Sequence, residues 1–151
     1  MNHTIGKYFE YNPFLSSGAQ PTADEIAALK ADGFQSIVNI SPASAGNFLN
    51  NEAIIVERLK MDYVHLPVDY NNLRPVYYHV FKGIMNGLKD KKVFVHCGGN
   101  IKSSSFLHIY NVLENNIDEK ESLITLRKIQ NPEEKWFTYF KMVGMKGISS
   151  L

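Results

Sequence analysis

A chain of 151 residues is near the usual size of one domain, and folding at that length buries roughly 70% of the surface an unfolded chain exposes. With 44% hydrophobic and 21% charged residues the composition matches the globular average, which sets aside the disordered and fibrous classes. A formal net charge of +1, with acidic and basic residues interleaved, supplies no field that would gather nucleic acid or an anionic membrane, so neither is expected as a partner.

No internal repeat or low-complexity tract appears, and the expectation is one domain over residues 1–151. Phe9 to Leu15 reads as a strand. Thr22 with Glu25 after Pro21 makes a capping box, which opens a helix over Ala23 to Asp32 that Gly33 can end. Ser36 to Ile40, bounded by Gly33 and by Ser41-Pro42, suits a buried strand. Phe48 to Lys60 places Phe48, Leu49, Ala53, Val56 and Leu59 along one helical face, and Tyr63 to Leu66 resumes extended structure. Pro75 fits the first turn of a helix whose stripe is Tyr77, Val80, Phe81, Ile84, Met85 and Leu88. Val93-Phe94-Val95 reads as a central strand.

Ser104 to Glu114 is then helical, with Phe106, Ile109, Tyr110 and Leu113 on one side, and Asp118 to Gln130 forms another helix. Asn131 can cap a last helix with Pro132 at its first position and Trp136, Phe140 and Val143 inward. Helices alternating with short apolar strands predict an α/β fold: a small, mostly parallel sheet with helices on both faces, and extra C-terminal helices.

Cys97 is the only cysteine, so an internal disulfide and a thiolate-rich zinc site are excluded. His65, His79, His96 and His108 lack a metal-binding spacing, and neither metal nor cofactor is expected. The first residues hold no apolar stretch of signal-peptide length, which makes the cytoplasm the default location.

The informative stretch runs from Val93 through His96, Cys97, Gly98, Gly99, Asn100, Ile101, Lys102 and Ser103 to Ser104: a strand, a glycine-containing loop and a helix start. In open α/β sheets, ligands bind outside the carboxyl ends of the strands, where this loop lies. A helix N-terminus offers unpaired amides and the positive end of a dipole, and a tight loop before it can turn further amides inward as an anion nest. Phosphate is the natural guest. The same field favours a thiolate, since cysteines at helix N-termini or beside cations ionise at pH values of roughly 3.5 to 7.5. Cys97 is then a nucleophile, Gly98 and Gly99 let the backbone approach a tetrahedral anion, and Lys102 neutralises charge on the transferring group. A lone cysteine at a strand end is more often a small buried hydrophobe, and the combination of His96, the glycines, Lys102 and the serines moves the balance to function. His96 is assigned hydrogen bonding that supports the loop.

This loop resembles the signature of the protein tyrosine and dual-specificity phosphatase superfamily: His-Cys, a short glycine-containing loop, Arg, then Ser or Thr. It is similar to a bacterial phosphatase-like branch found beside or fused to β-lactamase-like hydrolases, in which four residues separate Cys from Arg. Ser17-Gly18-Ala19-Gln20-Pro21-Thr22, Ser36-Ile37-Val38-Asn39-Ile40 and His65-Leu66-Pro67-Val68 match that branch in order, over about Leu15 to Asn115. The resemblance implies a phosphate monoester or like oxyanion as partner, held by Gly98, Gly99, Asn100, Ile101, Lys102 and Ser103. It also implies a phosphocysteine on Cys97, with Lys102 in the arginine position. Asp69, after the third strand, stands either as the general acid or as a former of the Asp69-Tyr70-Asn71-Asn72 turn.

Three departures mark the chain: Lys102 for Arg, Asn100 where a glycine is usual, and Ser41 where an Arg follows the second strand. A binding module without efficient chemistry, and a rhodanese-like sulfur carrier, are the rival readings. Fold and loop chemistry leave the oligomeric state, substrate and pathway open.

Overall fold

Why the chemistry-bearing loop sits where it does follows from five short strands. In the computed structural model, which describes residues 2–151, these are β1 (Phe9–Asn12), β2 (Leu15–Gly18), β3 (Ser36–Asn39), β4 (Asp62–His65) and β5 (Val93–His96). They form one sheet in the order β1-β2-β5-β3-β4, with β1 antiparallel to β2 and the remaining pairs parallel. β5 is thus central, flanked by β2 and β3.

The expected strand over Phe9 to Leu15 is in fact a hairpin. Pro13 has no amide hydrogen for a ladder, and the Asn12 side chain accepts from Phe14 N at 2.8 Å, so the chain turns there. β2 is built largely from small polar residues, yet it is buried. The hydroxyls of Ser16 and Ser17 find partners in Tyr8 and Tyr11 at 2.9 and 3.0 Å, which removes the penalty for burying them.

Six helices cover the sheet: α1 (Ala23–Ala31), α2 (Glu52–Arg58), α3 (Pro75–Gly87), α4 (Ile101–Leu113), α5 (Glu119–Arg127) and α6 (Glu134–Met142). The capping box on α1 forms in both directions, and Gly33 takes φ +88 just past the helix end. α2 is shorter than its apolar spacing implied. Residues 41–51 form a loop, Ala53 is exposed, and the buried side chains are Glu52 and Val56. α3 turns its inner face to Tyr78, Phe81 and Met85, leaving Val80 exposed. α4 starts at Ile101 instead of Ser104, because Asn100 adopts the left-handed conformation that closes the loop. The last helix has Glu133 at its N-cap position, in extended conformation, and Asn131 and Pro132 precede it outside any helix or strand.

Alternation along β5 divides the core. Val93 and Val95 join the cluster under α3 to α6, which includes Phe106, Trp136 and Phe140, while Phe94 joins Ile26, Leu29, Ile37 and Val56 under α1 and α2. The same alternation sends His96 toward α2. Among the described residues, no helix is long and apolar enough to cross a membrane.

Candidate active site

Cys97 follows the last residue of β5 and lies above the carboxyl edge of the sheet, 2% exposed. Three residues on, Asn100 has φ 62, a left-handed conformation that Asn tolerates better than most residues, and α4 begins. Asn100 caps the helix without a side-chain bond to its amides, because its carboxamide is used elsewhere. Its Nδ2 donates to the Lys7 carbonyl at 2.8 Å and to Ser17 Oγ at 3.0 Å, and its Oδ1 accepts from Ser103 Oγ at 2.7 Å. The first amides of α4 therefore keep their capacity for an anion.

The loop carbonyls are tied back. The Cys97 carbonyl lies 3.1 Å from His96 Nδ1, and the Gly98 carbonyl accepts from Gln20 N at 3.2 Å and from Asn47 Nδ2 at 3.0 Å. Every described peptide bond is trans, and in a trans unit the carbonyl and the following N–H point in opposite directions. Pulling the Cys97 and Gly98 carbonyls outward thus turns the N–H groups of Gly98 and Gly99 the other way. Among the described residues, those two amides donate to no protein acceptor.

Above the loop lies a hollow of about 230 Å³, lined by Cys97, Gly98, Gly99, Ile101 and Lys102 and walled by Tyr70, Pro42 and Ser41. A larger hollow of about 500 Å³, bordered by Tyr11, Asn111 and Lys128, shares no lining residue with it. Size does not select the site; the convergence of a thiol, free amides and a cation does.

Cys97 Sγ lies 3.3 Å from Ser103 Oγ. Lys102 is 8% exposed, and its Nζ donates to the Val68 carbonyl at 2.8 Å. Burial lowers the Lys102 pKa below the usual lysine range, while the negative charges of Cys97 and Asp69 pull it back up. The ammonium has two further donors beyond Val68. Burial raises the Tyr11 hydroxyl above the ordinary tyrosine range; its bond to Ser17 acts against that and the charge of Cys97 adds to it.

Of the residues read from the sequence, Cys97, Gly98, Gly99, Ile101 and Lys102 share the hollow, and Asn100 and Ser103 are buried beneath it. Asp69 does not line it. It is exposed, its Oδ1 accepts from Asn71 N at 2.9 Å, and it is joined to the site through Val68 and Tyr70 on either side. Tyr70 is in turn held by the C-terminal part, with Lys135 Nζ 3.1 Å from its ring centroid and Glu133 accepting from its hydroxyl.

The sequence did not announce Lys7, Gln20, Asn47 or Glu52. Gln20 sat inside a matched segment without a role, and Glu52 carried no signal at all. Among the described residues, no group of three or more His, Cys, Asp or Glu side chains is arranged to hold a metal.

No protein-family model matches the sequence, and no curated protein sequence gives a significant match. Solved structures do match. A phosphatase candidate of the DUF442 group from Shewanella putrefaciens is 26% identical, with 93% of this chain and 92% of that chain covered and a TM-score of 0.82. TpbA from P. aeruginosa, in a complex with phosphotyrosine, is 14% identical over 93% of this chain and 85% of that one, with a TM-score of 0.71. The core catalytic domain of the PP-IP phosphatase SIW14 from S. cerevisiae, in complex with citrate, is 10% identical over 93% and 88%, with a TM-score of 0.76. By these likenesses the chain has the fold of the protein tyrosine and dual-specificity phosphatase superfamily.

Proposed function

We propose that the protein is a cysteine-dependent phosphatase acting on a phosphate monoester, with Cys97 as nucleophile. The observation that carries this reading is the pair of unpartnered amides at Gly98 and Gly99 beside the thiol and the Lys102 ammonium, in one hollow. The phosphotyrosine and citrate held by two proteins of the same fold support an oxyanion as the guest.

The Cys97 thiolate attacks phosphorus, the bond from phosphorus to the leaving oxygen breaks, and Asp69 donates its proton to that oxygen. Water then attacks the phosphocysteine and gives a proton to Asp69, the phosphorus–sulfur bond breaks, and inorganic phosphate leaves with the thiolate restored. The amides of Gly98 and Gly99, the first turn of α4 and Lys102 stabilise the equatorial oxygens in both steps. Ser103 Oγ, 3.3 Å from Sγ, assists the thiolate as leaving group in the second step by turning its hydrogen from Asn100 Oδ1 to the sulfur.

A second reading has its own observation. Lys102 is engaged with Val68 and Asp69 with Asn71, an arrangement that suits a module binding phosphate without turning substrate over. The two separate in one experiment: hydrolysis of an aryl phosphate by wild type and Cys97→Ser, with orthovanadate binding in parallel. Turnover that vanishes in the variant establishes the phosphatase. Binding without turnover in either protein establishes the module, and absence of both overturns the two readings together.

A further inference from the structure

Below the loop, on the α2 side of the sheet, lies a polar pair that the mechanism leaves unused. His96 and Glu52 are 0% and 1% exposed, and His96 Nε2 is 2.6 Å from Glu52 Oε2. We propose that Glu52 is a positioning residue for the anion loop, acting through His96 by a proton held between Nε2 and Oε2. The functional consequence rests on the oxyanion reading of the loop; the proton itself does not.

Proton bookkeeping carries the argument. The Cys97 carbonyl can only accept, so His96 Nδ1, 3.1 Å away, bears a hydrogen. A bare Nε2 against a bare carboxylate oxygen at 2.6 Å would set lone pair against lone pair, so a second hydrogen lies between them. The pair therefore holds two protons and is neutral overall, as imidazolium with carboxylate or as imidazole with carboxylic acid. An unprotonated, unpaired Glu52 would instead bury a net negative charge behind a site that gathers anions.

Glu52 is itself fixed. Its Oε1 accepts from Gln20 Nε2, and the Gln20 backbone N donates to the Gly98 carbonyl at 3.2 Å. The two loop peptides whose N–H groups have no protein acceptor are thus oriented from one cluster around Glu52: Cys97–Gly98 through His96, and Gly98–Gly99 through Gln20. Phe94 stacks on His96 with ring centroids 5.8 Å apart and limits rotation of the imidazole. Without Glu52 the ring can exchange tautomers, and the Cys97 carbonyl loses its constant donor.

The test is heteronuclear NMR of His96 in the full chain together with orthovanadate titration. In the wild type, Nδ1 carries a proton and a far-downfield proton bridges the ring to Glu52. Glu52→Ala removes the bridging proton, mixes the His96 tautomers and weakens orthovanadate binding by about tenfold. Glu52→Gln can donate an N–H to Nε2, keeps the Nδ1 proton and restores most of the affinity. A wild-type Nδ1 without a proton, or a folded Glu52→Ala variant that binds orthovanadate as the wild type does, overturns the proposal. Should Glu52→Ala not fold, the Glu52→Gln spectrum decides: retention of the Nδ1 proton supports the assignment and its loss overturns it. A wild type that binds no orthovanadate would sink the phosphatase reading, while the spectra would still judge the role of Glu52.

Discussion

The Lys102 ammonium rests on the carbonyl oxygen of Val68 at 2.8 Å, which joins the start of α4 beside the cysteine loop to the segment carrying Asp69. On the proposed reading the cation has two duties: it neutralises the phosphate, and it fixes the loop that leads to the proposed acid. An arginine would meet a phosphate with a planar fork of donors, whereas a lysine presents a point charge. Lys102→Arg is expected to tighten orthovanadate binding and raise kcat/KM for an aryl phosphate by about tenfold, one added charge-assisted bond. Lys102→Met is expected to abolish both. Steady-state kinetics and titration check the pair.

Asp69→Asn separates the acid from the turn former. As the acid, its loss should lower kcat by about a hundredfold or more for an alkyl phosphate, whose leaving oxygen needs a proton, and far less for a nitrophenyl ester, which does not. Equal small effects on the two substrates would leave Asp69 with its bond to Asn71 alone.

Asn100 combines a left-handed backbone with three side-chain bonds. Asn100→Ala meets both difficulties and should destabilise the fold by about 2 to 3 kcal/mol, read as a shift in the urea midpoint. Asn100→Gly removes the backbone strain and keeps only the loss of bonds, so it should fall between Ala and wild type.

His108 gives a pH signature away from the site. It is 2% exposed, its Nδ1 is 2.7 Å from Ser122 Oγ, and its Nε2 has no partner. Burial pushes its pKa down from 6.5 to about 4, opposed by the nearby Glu119 and Ser122. The unfolded chain then binds the proton first as pH falls, so the stabilisation is complete above about 6.5 and declines toward pH 4, by about 3 kcal/mol in all. Urea unfolding at pH 7 and pH 4.5 should show a smaller difference for His108→Asn than for wild type.

The cysteine loop was legible because its parts are neighbours in sequence: strand, Cys97, glycines and helix start fall within a dozen residues. β5 was legible as a central strand because Val93, Phe94 and Val95 have no polar face. β2 was not, since Ser16 and Ser17 are small polar residues that carry no strand signal, and their burial is possible only because Tyr8 and Tyr11 supply their partners. The shorter α2 had a similar cause: an apolar spacing across Phe48 and Leu49 cannot reveal that residues 41–51 stay a loop, of which Ser41, Pro42 and Ala45 wall the hollow. Glu52 lay off the apolar face read for this helix and looked like any surface acid, and only the folded register of β5 brings His96 to it.

The carbonyl of Lys7 reaches Asn100 across 93 positions of chain. The N-terminal arm is thereby a guy-rope for the loop, anchored again where the Gly6 carbonyl accepts from Ala19 N at 2.8 Å and where Ile5 packs against Gly18, a contact that any larger residue at 18 would foul. A fusion tag or a proteolytic nick that pulls this arm loose would slacken the left-handed corner at Asn100 while leaving the sheet whole, so a preparation can be well folded by every global measure and yet deaf to the oxyanion proposed for the loop.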